Sequence, residues 1–345
     1  MFDVLVVGGG PAGFRTAWLV AKKGYEVLVV EEHEKIGEPV SCTGLVSKKI
    51  GKIPKDIILN KIKTARFFCE GEYFDVNYKK GMMVIDRKGY DVFLYEKAKE
   101  EGVRIKKGTR FISFRDGVVK TSKGSFESKI LVGADGPNSS VAKNVGIDLM
   151  ETISVAVQTT VKGSFEKRTV ELHFDPSIKR GFFWVVPENG GKARVGLMCE
   201  RNPRRIFHRF LEKRFGKNVR TSKIVSDVIR YGLMERTVSD RVLLVGDAAS
   251  QVKPFSCGGL VYGKICSEIA ARAIVKALRE EKFSREFLKE NYEDVWKEKL
   301  FIPIILGNSL KIFFDFISSY PFLFQLFGKM KIGELAGKLD PDFFI

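Results

Sequence analysis

The hexapeptide GGGPAG at residues 8–13 constrains the fold of this chain more than any other feature. It lies between FDVLVV (2–7), an apolar stretch that predicts a strand, and residues 11–23, which have helical character. Glycines at such a junction permit a tight turn and close approach of the backbone to a pyrophosphate, which the helix N-terminus stabilises. A second apolar stretch at 26–30 completes a βαβ pattern with right-handed parallel pairing. The sequence therefore predicts a Rossmann-like nucleotide-binding unit.

Glu31 indicates which kind of ligand the glycine-rich turn binds. It ends the second predicted strand, 18 residues after Gly13, where a carboxylate can accept hydrogen bonds from both hydroxyls of an adenosine ribose. The same carboxylate would repel a 2′-phosphate, which disfavours NADP as the nucleotide bound here. A glycine-rich turn without a ligand is the alternative, and it leaves Glu31 unexplained.

The cysteines indicate the compartment and exclude one class of site. There are five of them, widely spaced and without a C-x-x-C pair, so no zinc or iron–sulfur site and no metal is expected. The chain starts with a predicted strand, so no targeting segment is expected either. We therefore expect a protein of the reducing cytoplasm. Association with the inner face of the membrane is compatible with this expectation.

A loop directly after the nucleotide signature, GEPVSCTGLVS (37–47), carries a single cysteine, Cys42. A disulfide does not suit the expected compartment, a metal site lacks companion ligands, and a nucleophile lacks a partner histidine in the motifs. Two interpretations stay open: passive packing against a flat cofactor, and a tuning or proton-delivering role beside it.

The net charge of +17 is concentrated in one region. Ten Lys or Arg and only two Asp or Glu lie between Arg201 and Arg230. Within it, RRIFHRFLEKRF (204–215) predicts an amphipathic helix with apolar residues on one face. The basic face is either simply solvated or a docking surface for phospholipid headgroups or an acidic electron carrier. The chain has no recognised nucleic-acid motif, so nucleic acid is not an expected partner.

The C-terminal stretch 301–327 is strongly apolar, and the last 45 residues hold nine of the 28 phenylalanines. Lys311 and Asp315 interrupt it, and Pro303 and Pro321 punctuate it. Neither charge-free piece reaches the roughly 20 residues that a spanning helix needs. We expect two short apolar helices that serve as core packing, as a lid over an apolar ligand, or as a membrane-surface contact.

Two further motifs follow apolar strands and each presents an aspartate at a turn. GADGPNSSVAK (133–143) contains Asp135, and VGDAASQVKPFSCGGL (245–260) contains Asp247. Such a carboxylate can bind sugar-alcohol hydroxyls or order a pyrophosphate-binding region. Neither motif is expected in a plain NAD dehydrogenase.

Taken together, these motifs resemble those of the FAD-dependent oxidoreductases of the aromatic-hydroxylase fold. Within that superfamily, IGEPVSCTGLVS (36–47) and GFFWVVPENGGKARVGL (181–197) resemble the archaeal geranylgeranyl reductases, which include the digeranylgeranylglycerophospholipid reductases. The resemblance covers roughly residues 2–275 in the same order, although the substrate-side and C-terminal parts are shorter than in many members. It implies FAD as the cofactor and reduction of isoprenoid double bonds, including those of archaeal membrane lipids or their precursors.

The resemblance also implies roles for individual residues. Gly8, Gly10, Ala12 and Gly13 are expected at the pyrophosphate and Glu31 at the adenosine ribose. Asp247 is expected at the ribityl chain, and the backbone near Arg110 at the adenine. The other residues expected at the cofactor are Cys42, Thr43, Gly44, Leu45, Arg87, Asp135, Gly259 and Leu260.

The substrate motif of that family corresponds here to FFWVVP, residues 182–187. Alternate residues of a strand share a face, so Phe182, Trp184 and Val186 are expected on one side of it. Ordinary core packing explains such a strand, and so does an apolar wall that positions a prenyl chain against the flavin. Phe182 and Val186 stand at the family's tyrosine and phenylalanine positions. The shorter substrate-side and C-terminal parts, and Cys257 before Gly258 and Gly259 in the turn after Pro254, leave the size and identity of the substrate open.

The reaction that the resemblance implies is hydride delivery from reduced FAD to one alkene carbon and proton delivery to the other. An isolated alkene has no carbonyl to stabilise charge, so we expect a dry site that holds chain and flavin in register. Cys42, Tyr262 and an ordered water are the candidate proton donors. Ferredoxin, NADPH or another reduced carrier is the expected electron donor.

Two other functions stay open at this stage. One is a flavin monooxygenase or halogenase of the same fold. The other is a non-catalytic protein that binds flavin or lipid and acts as a membrane adaptor through its basic and apolar surfaces.

The expected fold class is α/β, α+β overall, with a Rossmann-like FAD-binding domain and an inserted β-sheet domain. We assign residues 1–150 and 235–280 to a discontinuous FAD-binding domain. Residues 60–85 and 151–234 are assigned to the β-rich substrate domain, and 281–345 to an apolar helical C-terminal segment.

Overall fold

Two mixed sheets and the helices that cover them form the protein, in a computed structural model that describes residues 1–330. The strands are β1 (Phe2–Val7), β2 (Val27–Val30), β3 (Leu45–Val46), β4 (Ile58–Cys69), β5 (Glu72–Ile85), β6 (Arg104–Lys106), β7 (Phe111–Arg115), β8 (Val118–Thr121), β9 (Gly124–Gly133), β10 (Ile153–Lys162), β11 (Thr169–Phe174), β12 (Phe182–Pro187), β13 (Lys192–Cys199), β14 (Val225–Arg230), β15 (Val238–Ser239) and β16 (Val242–Leu244). The helices are α1 (Pro11–Ala21), α2 (Arg87–Glu100), α3 (Ser140–Asn144), α4 (Pro203–Phe215), α5 (Leu260–Glu280), α6 (Arg285–Leu288), α7 (Asp294–Ser318) and α8 (Pro321–Lys329). Short 3₁₀ turns cover Lys48–Ile50 and Gly246–Ala249, and a π-helical turn covers Lys289–Glu293.

The first sheet has the strand order β15-β16-β9-β1-β2-β6, with β7 and β8 added as a hairpin beside β9. Its strands β1, β2, β6, β9 and β16 run parallel. Helices α1, α2 and α5 cover one face, and the β7–β8 hairpin with the short α3 covers the other, so the central strands are continuous apolar runs. The chain moves from β1 to β2 on one side and reaches β9 on the other, so the strand order reverses at β1 and β9. Ligands of such sheets bind at the carboxyl ends of the strands at this point. The expected Rossmann-like fold class is confirmed.

The second sheet has the order β14-β10-β13-β12-β11-β4-β5-β3 and pairs mostly antiparallel. Its two faces pack differently. Phe182, Trp184 and Val186 of β12 lie on the face that looks toward the first sheet and the C-terminal helices. Phe183 and Val185 lie on the opposite face, which α4 covers. The amphipathic helix expected at 204–215 is therefore present as α4, with its basic side turned outward.

The C-terminal segment differs from the expectation of two short helices. Helix α7 is one helix of 25 residues that continues through Pro303. Proline removes a hydrogen bond from a helix interior, but buried side chains on both sides of it hold the helix in place. Trp296 and Leu300 pack into the core of the first sheet, and Phe314 packs into that of the second.

Where up to two charged residues are allowed in the apolar window, the helical stretch Arg285–Ser318 is long and apolar enough to cross a membrane by length and composition alone. One third of its most apolar window is buried in the protein. Residues 331–345, which the prediction placed in the same segment, lie outside the described residues.

Candidate active site

A large cavity lies between the two sheets, where the carboxyl ends of β1 and β9 face β12. The space between its walls, including a part that is open to solvent, is about 1540 Å³. The predicted site residues that line it are Gly10, Ala12, Cys42, Thr43, Leu45, Arg87, Phe182, Trp184, Val186, Asp247, Gly259 and Leu260.

The glycine-rich turn forms one end of this cavity. Gly8 has a φ of +104°, and a Cβ there would lie 2.3 Å from the carbonyl oxygen of Ala134. A Cβ on Gly13 would lie 2.0 Å from the Gly8 carbonyl oxygen, so these two glycines permit the close packing of helix on strand. A Cβ on Gly10 would meet nothing within 4 Å, and no side chain caps α1. The turn thus presents an uncapped helix N-terminus to open space, which suits a pyrophosphate.

Glu31 lies beside this turn, as the spacing predicts. One carboxylate oxygen accepts a hydrogen bond from the Gly9 amide at 2.6 Å. The other accepts from the His33 amide at 2.8 Å and lies 2.6 Å from His33 Nδ1. Neighbouring groups therefore orient the carboxylate, and a carboxylate has about four acceptor positions, so it can still bind ribose hydroxyls. The role of His33 was missed, because the expectation considered only histidines within the flavin motifs.

Arg110 follows Thr109, whose backbone contacts Glu31, and it is not among the residues that line the cavity. The amide of Thr109 donates to the carbonyl oxygen of Glu31 at 2.8 Å. The Arg110 amide donates to Ser122 Oγ, and its carbonyl accepts from the Ser122 amide. The Arg110 backbone is thus paired with Ser122 on both its amide and its carbonyl, and its contact with adenine stays a prediction.

Asp135 lies in the turn after β9, where hydrogen bonds hold its carboxylate. Its carboxylate accepts from Ser139 Oγ at 2.6 Å and from the Ser140 and Val141 amides at 2.7 and 3.1 Å. These bonds cap the N-terminus of α3. Desolvation in this enclosed position raises the pKa of Asp135, and the hydrogen bonds act against that rise. The residue orders the turn after β9, which is the indirect alternative that the sequence left open.

Asp247 lies in the 3₁₀ turn Gly246–Ala249 and points into the cavity beside the N-terminus of α5. Its surface faces the cavity, although protein surrounds it on the other sides, and no hydrogen bond reaches its carboxylate from the described residues 1–330. Desolvation raises the pKa of Asp247 to about 6; Asp227 adds to the rise and Arg87 opposes it. Gly259 leaves room for it, since a Cβ there would lie 2.6 Å from Asp247 Oδ1. An unpartnered carboxylate in a cavity suits a ligand rich in hydroxyl groups.

The loop that contains Cys42 forms the middle of the cavity wall. The Gly44 amide lies 3.4 Å from Cys42 Sγ. Arg87, at the first position of α2, lies beside that thiol and donates to Asp91 at 3.1 Å. Desolvation acts to lower the pKa of Arg87, but Cys42 and Asp91 together hold it above its ordinary value. Arg87 Nε is buried without a hydrogen-bond partner among residues 1–330, so this guanidinium has a donor left for a cofactor.

Arg194 of β13 anchors this loop and was missed in the sequence. Its Nη1 donates to the carbonyl oxygens of Thr43 at 2.7 Å, Ile85 at 3.2 Å and Cys42 at 3.4 Å. Its Nε pairs with Glu188 at 2.5 Å, and both side chains are largely buried. The second sheet therefore holds the loop in place through one side chain.

The far wall of the cavity is apolar and aromatic. Trp184 lies flat across Gly196 of β13, where a Cβ would come within 2.1 Å of the indole ring. The aromatic wall continues from Phe182 to Phe255 at 5.6 Å and from Phe255 to Phe314 of α7 at 5.3 Å between ring centroids. Tyr262, a candidate proton donor, is instead buried in the core beside α1. The structure thus brings Cys42, and not Tyr262, to the cavity.

Comparisons with known proteins agree with this geometry. A family model for an FAD binding domain matches residues 72–263, and one for an NAD(P)-binding Rossmann-like domain matches residues 6–42. Digeranylgeranylglycerophospholipid reductase 1 of Methanopyrus kandleri is 31% identical over 327 residues, which cover 86% of this chain and 86% of that protein.

Solved structures share the fold. A geranylgeranyl bacteriochlorophyll reductase-like protein from Thermoplasma acidophilum superposes with a TM-score of 0.84 at 24% identity, over 92% of this chain and 89% of that one. The halogenase PltM in complex with FAD superposes with a TM-score of 0.71 at 17% identity, over 90% and 75%. The family match identifies FAD as the cofactor, and the Asp247 carboxylate, the free Nε of Arg87 and the uncapped helix N-terminus suit it.

Proposed function

Because the chain belongs to the family of the digeranylgeranylglycerophospholipid reductases, we propose that it saturates the double bonds of geranylgeranyl chains in archaeal membrane lipids or their precursors. The protein is an FAD-dependent oxidoreductase that acts on carbon–carbon double bonds. The observation that carries the proposed substrate is the shape of the cavity: the cofactor-binding residues and the apolar wall of Phe182, Trp184 and Val186 line a single space.

Bound FAD, in its reduced form, supplies the hydride. The residues of the chain position the cofactor and the substrate and exclude water from the site. Gly10, Glu31 and Asp247 hold the cofactor at one side of the cavity, and the aromatic wall excludes water from the other. An alkene without an activating carbonyl gains most from such a site, because accurate placement of the reacting atoms and exclusion of water lower its barrier.

We propose Cys42 as the residue that delivers the proton to the second alkene carbon. Its thiol lies on the cavity wall in the loop that Arg194 anchors, next to Arg87. An adjacent guanidinium stabilises the thiolate that remains after proton transfer. The thiolate then regains a proton from solvent when the product leaves.

The lipid substrate requires access from a membrane, and α7 and α8 offer an apolar surface for it. Ile302, Ile312 and Phe316 of α7 and Phe322 of α8 are more than half exposed. The two charges in the apolar part of α7 are engaged with the protein: Lys311 Nζ bonds to Ser154 Oγ and the Pro254 carbonyl, and Asp315 accepts from the Arg180 amide. We propose that this surface rests on the cytoplasmic face of the membrane, which makes the protein a peripheral one.

Vesicle flotation tests the membrane contact. The Ile302→Asp/Phe316→Asp variant is expected to lose most of its binding to phospholipid vesicles. Ile112→Asp/Val118→Asp places the same charges at exposed apolar positions of the β7–β8 hairpin and is the matched control. Equal loss in both variants, or no loss in the first, contradicts the proposed surface.

The catalytic proposal is tested by comparing anaerobic and aerobic reactions of the purified protein. Under argon, with dithionite as reductant, a geranylgeranyl glycerophospholipid is expected to gain hydrogen in pairs, as measured by mass spectrometry. In air, oxygen incorporation or halogenation of an added aromatic would instead favour the halogenase and monooxygenase alternative. Lipid binding without any flavin reoxidation would favour a non-catalytic adaptor.

The electron donor belongs to the same proposal. Reduction of an alkene consumes two electrons per double bond, so a reduced carrier must supply them. Ferredoxin, NADPH or another reduced carrier fits this requirement.

A further inference from the structure

The most basic surface of the protein is formed by α4 and the loop after it, residues 201–223. Nine of its Lys and Arg side chains are exposed: Arg201, Arg204, Arg205, Arg209, Lys213, Arg214, Lys217, Arg220 and Lys223. Among residues 1–330, Arg214 alone of these nine has an ion pair, with Glu171. The other charges therefore add to one positive field, in which Glu212 is the single acidic residue of 201–223.

The basic surface and the apolar surface of α7 and α8 belong to different faces of the second sheet. Helix α4 covers the face that carries Phe183 and Val185. Helices α7 and α8 pack on the other face, with Phe182 and Trp184. The two surfaces can therefore bind different partners.

The same surface nevertheless lies close to the cavity. Strand β14 is the edge strand of the second sheet, and its neighbouring residues point to opposite faces. Ser226 joins Asn202, Pro203, Arg204 and Arg205 in a shallow groove on the outer side. Asp227, the next residue, lines the cavity. One strand therefore separates the basic groove from the cofactor site.

A further contact joins this strand to the flavin-side loop. Asp227 Oδ2 accepts a hydrogen bond from Ser41 Oγ at 2.6 Å, and Ser41 directly precedes Cys42. The groove is thus in direct structural continuity with the loop expected at the isoalloxazine. An electron donor bound in the groove would be separated from that loop by the thickness of the strand alone.

We propose that residues 201–226 form the docking surface for a small acidic electron-transfer protein that reduces the bound cofactor. The proposal rests on the function proposed above and names the partner of the same site. Two carriers are oxidised in turn by one electron each, and the two electrons with one proton from solvent equal the hydride that one double bond consumes. A nicotinamide nucleotide carries its charge on a few phosphates, so a few basic side chains are enough to bind it. A basic surface of this extent is better matched to a protein partner.

The test compares two double variants that change the net charge equally. Arg204→Glu/Arg205→Glu reverses charge at the groove, and Lys22→Glu/Lys23→Glu does so at exposed positions at the end of α1. Binding of an oxidised, acidic plant-type [2Fe–2S] ferredoxin is measured by calorimetry at several salt concentrations, and FAD reduction by the reduced ferredoxin is followed by stopped flow. Electrostatic steering commonly accelerates association 10- to 1,000-fold. At low salt, the Kd of the groove variant for ferredoxin is therefore expected to rise, and its rate of FAD reduction to fall, by at least about tenfold. Both quantities should also lose most of their dependence on salt concentration.

Controls separate this docking from the catalytic proposal. Reduction by dithionite and saturation of the lipid with dithionite are expected to be unchanged in both variants, and the α1 variant is expected to keep its ferredoxin affinity within about twofold. Equal losses in both variants mean that net charge alone acts, and the proposal is then wrong. It is also wrong if the groove variant loses only NADPH-driven reduction or only binding to anionic vesicles. Failure of lipid saturation with dithionite in the unmodified protein refutes the catalytic proposal, while the ferredoxin affinities still test the surface.

Discussion

Replacing Arg194 with methionine is expected to destabilise the protein and loosen the cofactor site together. The side chain is 7% exposed and holds three backbone carbonyls as well as Glu188. Methionine keeps much of the volume and removes all of these bonds. The Glu188 carboxylate is then left buried without its partner.

The size of the effect follows from that buried charge. Breaking a buried ion pair from one side costs about 3–5 kcal/mol, because the remaining charge stays desolvated. We expect a loss of about 4 kcal/mol for Arg194→Met, measured by urea unfolding of the FAD-free protein. For 345 residues, an unfolding entropy of about 2.1 cal/mol/K per residue converts this into a fall in Tm of about 5 °C.

A second variant tests whether the unpaired Glu188 charge causes the loss of stability. Glu188→Gln/Arg194→Met removes the orphaned charge, so it is expected to recover about 1–2 kcal/mol relative to Arg194→Met alone. Both variants should bind FAD at least about tenfold more weakly, because neither anchors the loop at Cys42 and Thr43. A single variant within about 1 kcal/mol of the unmodified protein, or a double variant less stable than the single one, would show that Arg194 does not act in this way.

Three further predictions concern residues of the cavity. Asp247→Asn should weaken FAD binding at least about tenfold in a fluorescence titration. Because the folded state holds the Asp247 proton up to about pH 6, stability of the FAD-free protein should fall as pH rises from the ordinary aspartate pKa to that value, and the variant should lack this fall. Trp184→Leu should raise KM for the lipid at least about fivefold with FAD affinity unchanged, whereas Phe183→Leu on the other face should alter stability only. Cys42→Ala should keep FAD bound but lose at least about tenfold in alkene reduction; retained turnover would assign the cysteine to passive packing.

The parts of the site that local patterns encode were predictable from the sequence. Gly8 and Gly13 serve a strand–turn–helix junction formed within six residues, and the alternation in 182–187 places Phe182 and Trp184 on one face. Each of these depends on neighbours in the chain. The FAD-binding and substrate-binding roles of individual residues stay predictions.

The parts that depend on distant contacts were not predictable. Arg194 contacts residues 109 to 152 positions away, and a lone arginine in a strand looks the same as one that faces solvent. Helix α7 continues through Pro303 because two separate cores hold its halves, which local propensity cannot indicate. Asp135 caps a helix too short to be recognised in the sequence.

The central claim, that this protein reduces isoprenoid double bonds with its own bound FAD, is tested most directly by a single turnover under argon. Protein whose FAD has been reduced with one equivalent of dithionite is mixed with excess geranylgeranyl glycerophospholipid, and flavin absorbance and lipid mass are followed together. We expect one double bond to be lost, and two hydrogen atoms gained, for each flavin reoxidised. Flavin that stays reduced for the whole incubation, with the lipid unchanged in mass, would contradict the account.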